Sequence, residues 1–173
     1  PGYQDLREAI ASKYQRENKV PYKAENIVVS NGAKQSIANA LLALLNPGDE
    51  VIIFSPYWVS YDALVRLTEA TPVIVQGGID NDFKVTPAQL EAAITAKTKA
   101  IMFSSPCNPT GSVFSGKELQ DIANIVLKHP DLLVIADEIY EHINFTGEQV
   151  SIASFPGMFD RTITVNGFAK GFA

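Results

Sequence analysis

Short apolar runs recur along this chain at intervals that leave room for one helix between most neighbours. Ile27-Val28-Val29, Val51–Phe54, Val73–Val75, Ala100–Phe103, Leu132–Ala136 and Thr162–Val165 are the runs, and each is bounded by turn-forming or polar residues. Between them lie stretches with helical spacing. Leu6, Ile10 and Tyr14 share a face within Tyr3 to about Asn18, and Ile37, Leu41, Leu44 and Leu45 form a stripe from about Lys34. A third helix is predicted from about Trp58 to Glu69. Thr86-Pro87-Ala88-Gln89 and Ser115-Gly116-Lys117-Glu118 have the form of capping boxes and open two more helices, which run to about Thr95 and Lys128. Alternating strands and helices predict an α/β fold, a largely parallel sheet in three αβα layers. The strands are continuously apolar, as strands covered on both faces must be. A chain of 173 residues without repeats or linkers suits one domain.

Composition narrows the function classes. A net charge of −5 with no local Lys/Arg cluster argues against nucleic-acid binding. No apolar run approaches the roughly 20 residues of a membrane helix. Cys107 is the single cysteine and has no internal disulfide partner, so a cytoplasmic location is the expectation. His129 and His142 lack partners at metal-ligand spacing, so no metal site is expected.

Polar residues cluster where strands end. Gly32-Ala33-Lys34 lies between the first run and a helix, where backbone N–H groups bind phosphate or simply make a tight turn. Trp58 follows Ser55-Pro56-Tyr57 and by itself reads as a packing anchor at a helix start. Asn108-Pro109-Thr110-Gly111 reads locally as a turn, and both Ser105-Pro106 and Asn108-Pro109 are candidates for cis bonds. Asp137 and Tyr140 follow the apolar run 132–136, and Asp137 suits either a turn or an ionised group at a buried strand end. Lys170 follows the last strand, among Gly167, Phe168, Ala169, Gly171 and Phe172. Those neighbours are small or apolar and are expected to exclude water from it. In open α/β sheets, residues at successive strand ends converge on the edge where ligands bind.

In this order the segments Asn108–Gly111, Asp137–Tyr140 and Gly167–Lys170 resemble the class I, aspartate aminotransferase-like group of fold-type I pyridoxal-phosphate aminotransferases. The resemblance extends from Gly2, Leu6 and Arg7 to Lys170. It implies pyridoxal 5′-phosphate as cofactor, with Lys170, Asp137 and Tyr140 catalytic. Lys170 would form the Schiff base and move the substrate's α-proton, and Asp137 would keep the cofactor's ring nitrogen protonated. Asn108 and Tyr140 would hold the ring oxygen, Trp58 would stack, and Gly32, Ala33 and Lys34 would lie at the phosphate. Relatives often carry serine where Gly167 or Ala169 stands, and serine or threonine near Gly32.

The implied reaction is transfer of an amino group between a small-molecule amino acid and a 2-oxo acid by a homodimer, with no nucleic acid and no membrane partner. The run Ser55–Tyr61 is similar to that of bacterial aspartate aminotransferases, some of which accept prephenate or aromatic acids. A C–S lyase or an alanine-type aminotransferase would share every residue named. An aminotransferase-like ligand-sensing domain of a transcription regulator is another alternative. A dinucleotide-binding oxidoreductase is disfavoured, because no G-x-G-x-x-G follows a strand. The resemblance also implies that the chain is a piece of a large domain, missing an N-terminal segment, the rest of that domain and the small domain. On that expectation the Ile27–Val29 strand lacks its usual neighbour. The piece alone is expected to be inactive and to hold the cofactor weakly or not at all.

Overall fold

The computed structural model describes residues 1–147 and 149–173. Five parallel strands form one sheet: β1 (Glu50–Ser55), β2 (Thr71–Gln76), β3 (Thr98–Ser104), β4 (Leu133–Asp137) and β5 (Thr162–Val165), in the order β2-β1-β3-β4-β5. Six α-helices accompany them among the described residues: α1 (Gln4–Lys13), α2 (Ala33–Leu44), α3 (Ser60–Leu67), α4 (Pro87–Ala93), α5 (Gly116–Val126) and α6 (Phe168–Gly171).

Side-chain alternation along each strand divides the core in two. Ile52, Phe54, Ile101, Phe103, Val134 and Ala136 face one side, where Leu90 of α4 and Leu119, Ile122 and Val126 of α5 cover them. Val51, Ile53, Ala100, Met102 and Ile135 face the other, under Ile37 and Leu41 of α2 and Tyr61 and Val65 of α3. The period of two explains why both layers of helices are needed. Each fully buried Ile or Leu is worth about 1.5–3 kcal/mol of transfer free energy, so neither face is dispensable. Both capping boxes form. Thr86 Oγ1 accepts from Gln89 N–H and Ser115 Oγ from Glu118 N–H, each at 3.3 Å.

Two local expectations differ from the structure. Ile27–Val29 is extended but is not a strand. Val28 is 67% exposed, and Val29 N–H donates to the carbonyl of Pro1 at 2.9 Å rather than to a sheet neighbour. β-branched residues favour extended backbone, but only a laterally paired partner makes a ladder. The first helix also changes character before Asn18. After Lys13 it widens into a π-type turn over Tyr14–Asn18, closed by Lys19 in the left-handed region at φ 60°. The sheet and its two helical layers otherwise match the reading of the sequence.

The strand order reverses between β1 and β3, because the chain passes from β2 back across β1. In sheets of this order the crevice at the carboxyl ends of those two strands is where ligands bind.

Candidate active site

At this crevice the strand-end residues gather. Asp137 closes β4, in register with Ser104 of β3 and Val165 of β5. It is only 4% exposed. Its Oδ2 accepts a 2.6 Å hydrogen bond from the hydroxyl of Tyr61, and its Oδ1 accepts from Ile139 N–H at 3.2 Å. Burial pushes the Asp137 carboxyl above its ordinary value, while the bonds from Tyr61 and Ile139 pull it back. Burial, and then the charge of Asp137, push the Tyr61 hydroxyl far upward, so Tyr61 is the donor in this pair.

Asn108, in the loop after β3, lies with its Nδ2 3.5 Å from the hydroxyl of Tyr140 in the turn after β4. The bonds Ser55-Pro56, Ser105-Pro106 and Asn108-Pro109 are cis; the first is one the sequence did not single out. Cys107 packs across the switch point and donates from Sγ to the Pro56 carbonyl at 3.4 Å, tying the β3 end to the β1 end.

Gly32 precedes α2 with φ 86°. A Cβ there would meet nothing within 4 Å, so the constraint on this position is backbone conformation alone. The first N–H groups of α2, those of Ala33 and Lys34, have no acceptor within the helix. Lys34 is more than a backbone contributor, since its ammonium sits 4.9 Å from the centroid of the Trp58 ring. Trp58 in turn stands edge-on to Tyr61, with ring centroids 5.7 Å apart at 87°. One chain of contacts therefore runs Lys34, Trp58, Tyr61, Asp137.

Lys170 is placed differently from the expectation. It lies in the single turn α6, exposed, with Phe168 and Phe172 exposed at 62% and 66%. Its apolar neighbours do not enclose it: Ile139 and His142 touch the segment from one side only, and Phe168 and Phe172 stay largely exposed. Its side chain makes no hydrogen bond or ion pair with the other candidate residues among the described residues. Proximity comes from the backbone: Val165 is Asp137's register partner, and its carbonyl accepts from Glu138 N–H at 2.8 Å.

Two residues here escaped the reading of the sequence. Tyr61 reads as a core aromatic on α3, and nothing in its spacing reveals a carboxylate at its hydroxyl. Its loss is testable. In the full-length protein Tyr61→Phe should cost about 1–3 kcal/mol at neutral pH, because Oδ2 of Asp137 is left buried without its donor. That cost should shrink at acid pH, where the carboxyl protonates; urea unfolding at several pH values measures it.

Glu138 is the second. It is 3% exposed, its Oε2 has no hydrogen-bond partner, and burial pushes its carboxyl up to about 8. Neighbouring Glu141 and Asp137 push the same way, whereas Ser151 and Lys13 oppose them. The folded protein thus holds this proton more tightly than the unfolded chain does. Its contribution to stability should be lost as pH rises from about 4.3 to about 8. Glu138→Gln, a mimic of the protonated acid, should flatten that slope in pH-dependent unfolding. No group of His, Cys, Asp and Glu among the described residues is arranged to hold a metal ion.

The model of the family described as aminotransferase class I and II matches residues 1–173. A bifunctional aspartate aminotransferase and glutamate/aspartate-prephenate aminotransferase from Petunia hybrida is 54% identical over 173 residues, covering 99% of this chain and 36% of its own length. The crystal structure of the aspartate aminotransferase from Rhizobium meliloti superposes with a TM-score of 0.95 at 42% identity, over 98% of this chain and 43% of that one. The aromatic aminotransferase from Pyrococcus horikoshii OT3 gives 0.94 at 44% identity, over 98% and 46%. The chain thus spans less than half the length of these relatives. With one family model matched from end to end, and a sheet that superposes closely on those enzymes, the chain belongs to the class I and II aminotransferases.

Proposed function

We propose that the full-length protein is a pyridoxal-phosphate-dependent aminotransferase that moves an amino group between a dicarboxylic amino acid and a 2-oxo acid, and that this chain is the part carrying the cofactor site. The observation that carries the reading is the buried Asp137 carboxylate at the carboxyl end of β4, with Asn108 and Tyr140 brought together in the loops after β3 and β4. Its family supports it, as do relatives named for aspartate and prephenate.

The residues fit the cofactor. Asp137 is a buried carboxylate with a raised affinity for its proton, so a cationic ring nitrogen opposite it would be held protonated and would pull the carboxyl back down. The Asn108 amide and Tyr140 hydroxyl are two adjacent donors suited to one phenolate oxygen. Trp58 offers an aromatic face, and the start of α2 at Gly32, Ala33 and Lys34 offers N–H groups and a cation for a phosphate. Lys170 would hold the cofactor through Nζ and then take and return the substrate's α-proton. Bound there, pyridoxal phosphate supplies an electron sink for the electrons left on the substrate's α-carbon. Tyr61 orients Asp137, and Lys34 steadies Trp58.

The test is substrate profiling of full-length protein. Amino transfer from aspartate to 2-oxoglutarate is expected, with prephenate as an alternative acceptor. Pyruvate release from a β-thio amino acid instead would make it a C–S lyase, and binding without turnover would favour a ligand sensor. The chain from residue 1 to 173 by itself is expected to bind the cofactor weakly and to show no turnover. The full-length protein is proposed to act as a homodimer.

A further inference from the structure

Glu141 takes no part in the reaction proposed above, yet it gathers more polar contacts than the residues that do. Its side chain is 5% exposed. It accepts from Asn18 Nδ2 at 2.9 Å, from Asn166 Nδ2 at 2.8 Å and from the ammonium of Lys13, with His142 Nε2 3.3 Å away. Lys13 also donates to Asn18 Oδ1 at 2.8 Å. The wide turn that ends the first helix is what brings Asn18 to this point. Two amides and an ammonium form a donor set for an ionised carboxylate, and a buried carboxylate so paired is costly to disturb.

The contacts lead to the segment that carries Lys170. Asn166 Oδ1 accepts from Gly167 N–H at 2.7 Å, and Gly167 is the residue that starts α6. Beyond Lys170, the His142 ring stands 5.2 Å from that of Phe172 at 67°. The Gly171 backbone passes so close that a Cβ there would lie 2.9 Å from His142 Cβ. Residues 141 and 142 thus grip the segment before and after the lysine. Such a grip is needed: α6 has four residues, far short of the dozen or so that sustain a helix unaided, and Phe168 within it and Phe172 just after it are both exposed.

We propose that Glu141 is a positioning residue, which fixes the Lys170 segment through Asn166 and, with His142, sets the direction of Lys170 Nζ. This rests on the reading of Lys170 as the group that holds the cofactor. A glutamine cannot substitute, because its amide would confront the amide of Asn18 or Asn166, or the ammonium of Lys13.

Hydrogen exchange on cofactor-free full-length protein tests it. Glu141→Gln should speed exchange at the amides of residues 167–171 by about tenfold or more, the scale of one lost charge-assisted hydrogen bond, while β1 and β3 keep their protection. Adding Asn18→Asp exchanges carboxylate and amide across the contact and should restore protection. Asn166→Ala cuts only the link to Gly167 and should loosen the same amides, a check that does not depend on Glu141→Gln folding. Unchanged exchange at 167–171 in either single variant, or a loss spread evenly over the sheet, overturns the proposal. Borohydride labelling separates the two readings. If the wild type is labelled elsewhere than at Lys170, the reading of the lysine fails. If Lys170 is labelled equally fast in wild type and Glu141→Gln, and exchange is unchanged, only the positioning role fails.

Discussion

Full-length protein loaded with pyridoxal phosphate and reduced with borohydride should carry the cofactor's mass on the peptide containing Lys170, and Lys170→Ala should abolish that label. Transamination by the alanine variant should fall by about 10⁴-fold or more, since a positioned proton carrier alone contributes roughly 10²–10⁴ and the covalent attachment is lost with it. The exposure of Lys170 bears on this result. A lysine that works as a nucleophile needs cover from water or nearby positive charge, and Lys170 is exposed. Elements outside residues 1–173 are the expected cover, because those described leave Phe168 and Phe172 open. Label on another lysine, or on none, would refute the assignment.

Asp137→Ala should be the next most damaging change, more severe than Tyr140→Phe. Removing the carboxylate removes the counter-charge that keeps a ring nitrogen protonated, for which nothing else described here substitutes, and a loss of about 10³-fold in kcat is expected. It also strands the Tyr61 hydroxyl, which now donates to Oδ2 at 2.6 Å. Tyr140→Phe removes one of two adjacent donors, and Asn108 remains, 3.5 Å from the lost hydroxyl. A smaller loss, on the scale of one neutral hydrogen bond of about 1 kcal/mol, or roughly fivefold, is expected there. Steady-state kinetics of both variants decide the order, and wild-type turnover by Asp137→Ala would contradict the role given to it.

The fold was legible because period and punctuation coincide along most of the chain. Five apolar runs became five strands, and the two capping boxes became helix starts, since both signals are local and reinforce each other. Ile27–Val29 failed for the same reason in reverse, its local preference having no lateral partner to pair with. The strand ends were legible too, because strand-then-turn places Asn108, Asp137 and Tyr140 at one edge whatever the details of the loops.

What the amino-acid order determined by itself, then, is the set of elements, the parallel sheet and the list of polar groups delivered to its carboxyl edge. These follow from short-range geometry, in which side-chain period and turn chemistry dictate where each strand stops. Tertiary structure alone decided which groups meet. Tyr61 reaches Asp137 across 76 positions, and Lys13 reaches Glu141 across 128. Burial among neighbouring elements pushes the Glu138 carboxyl up, whereas Lys170 stays exposed although His142 touches its segment. Burial and through-space charge depend on distance in three dimensions, and separation along the chain carries no record of them.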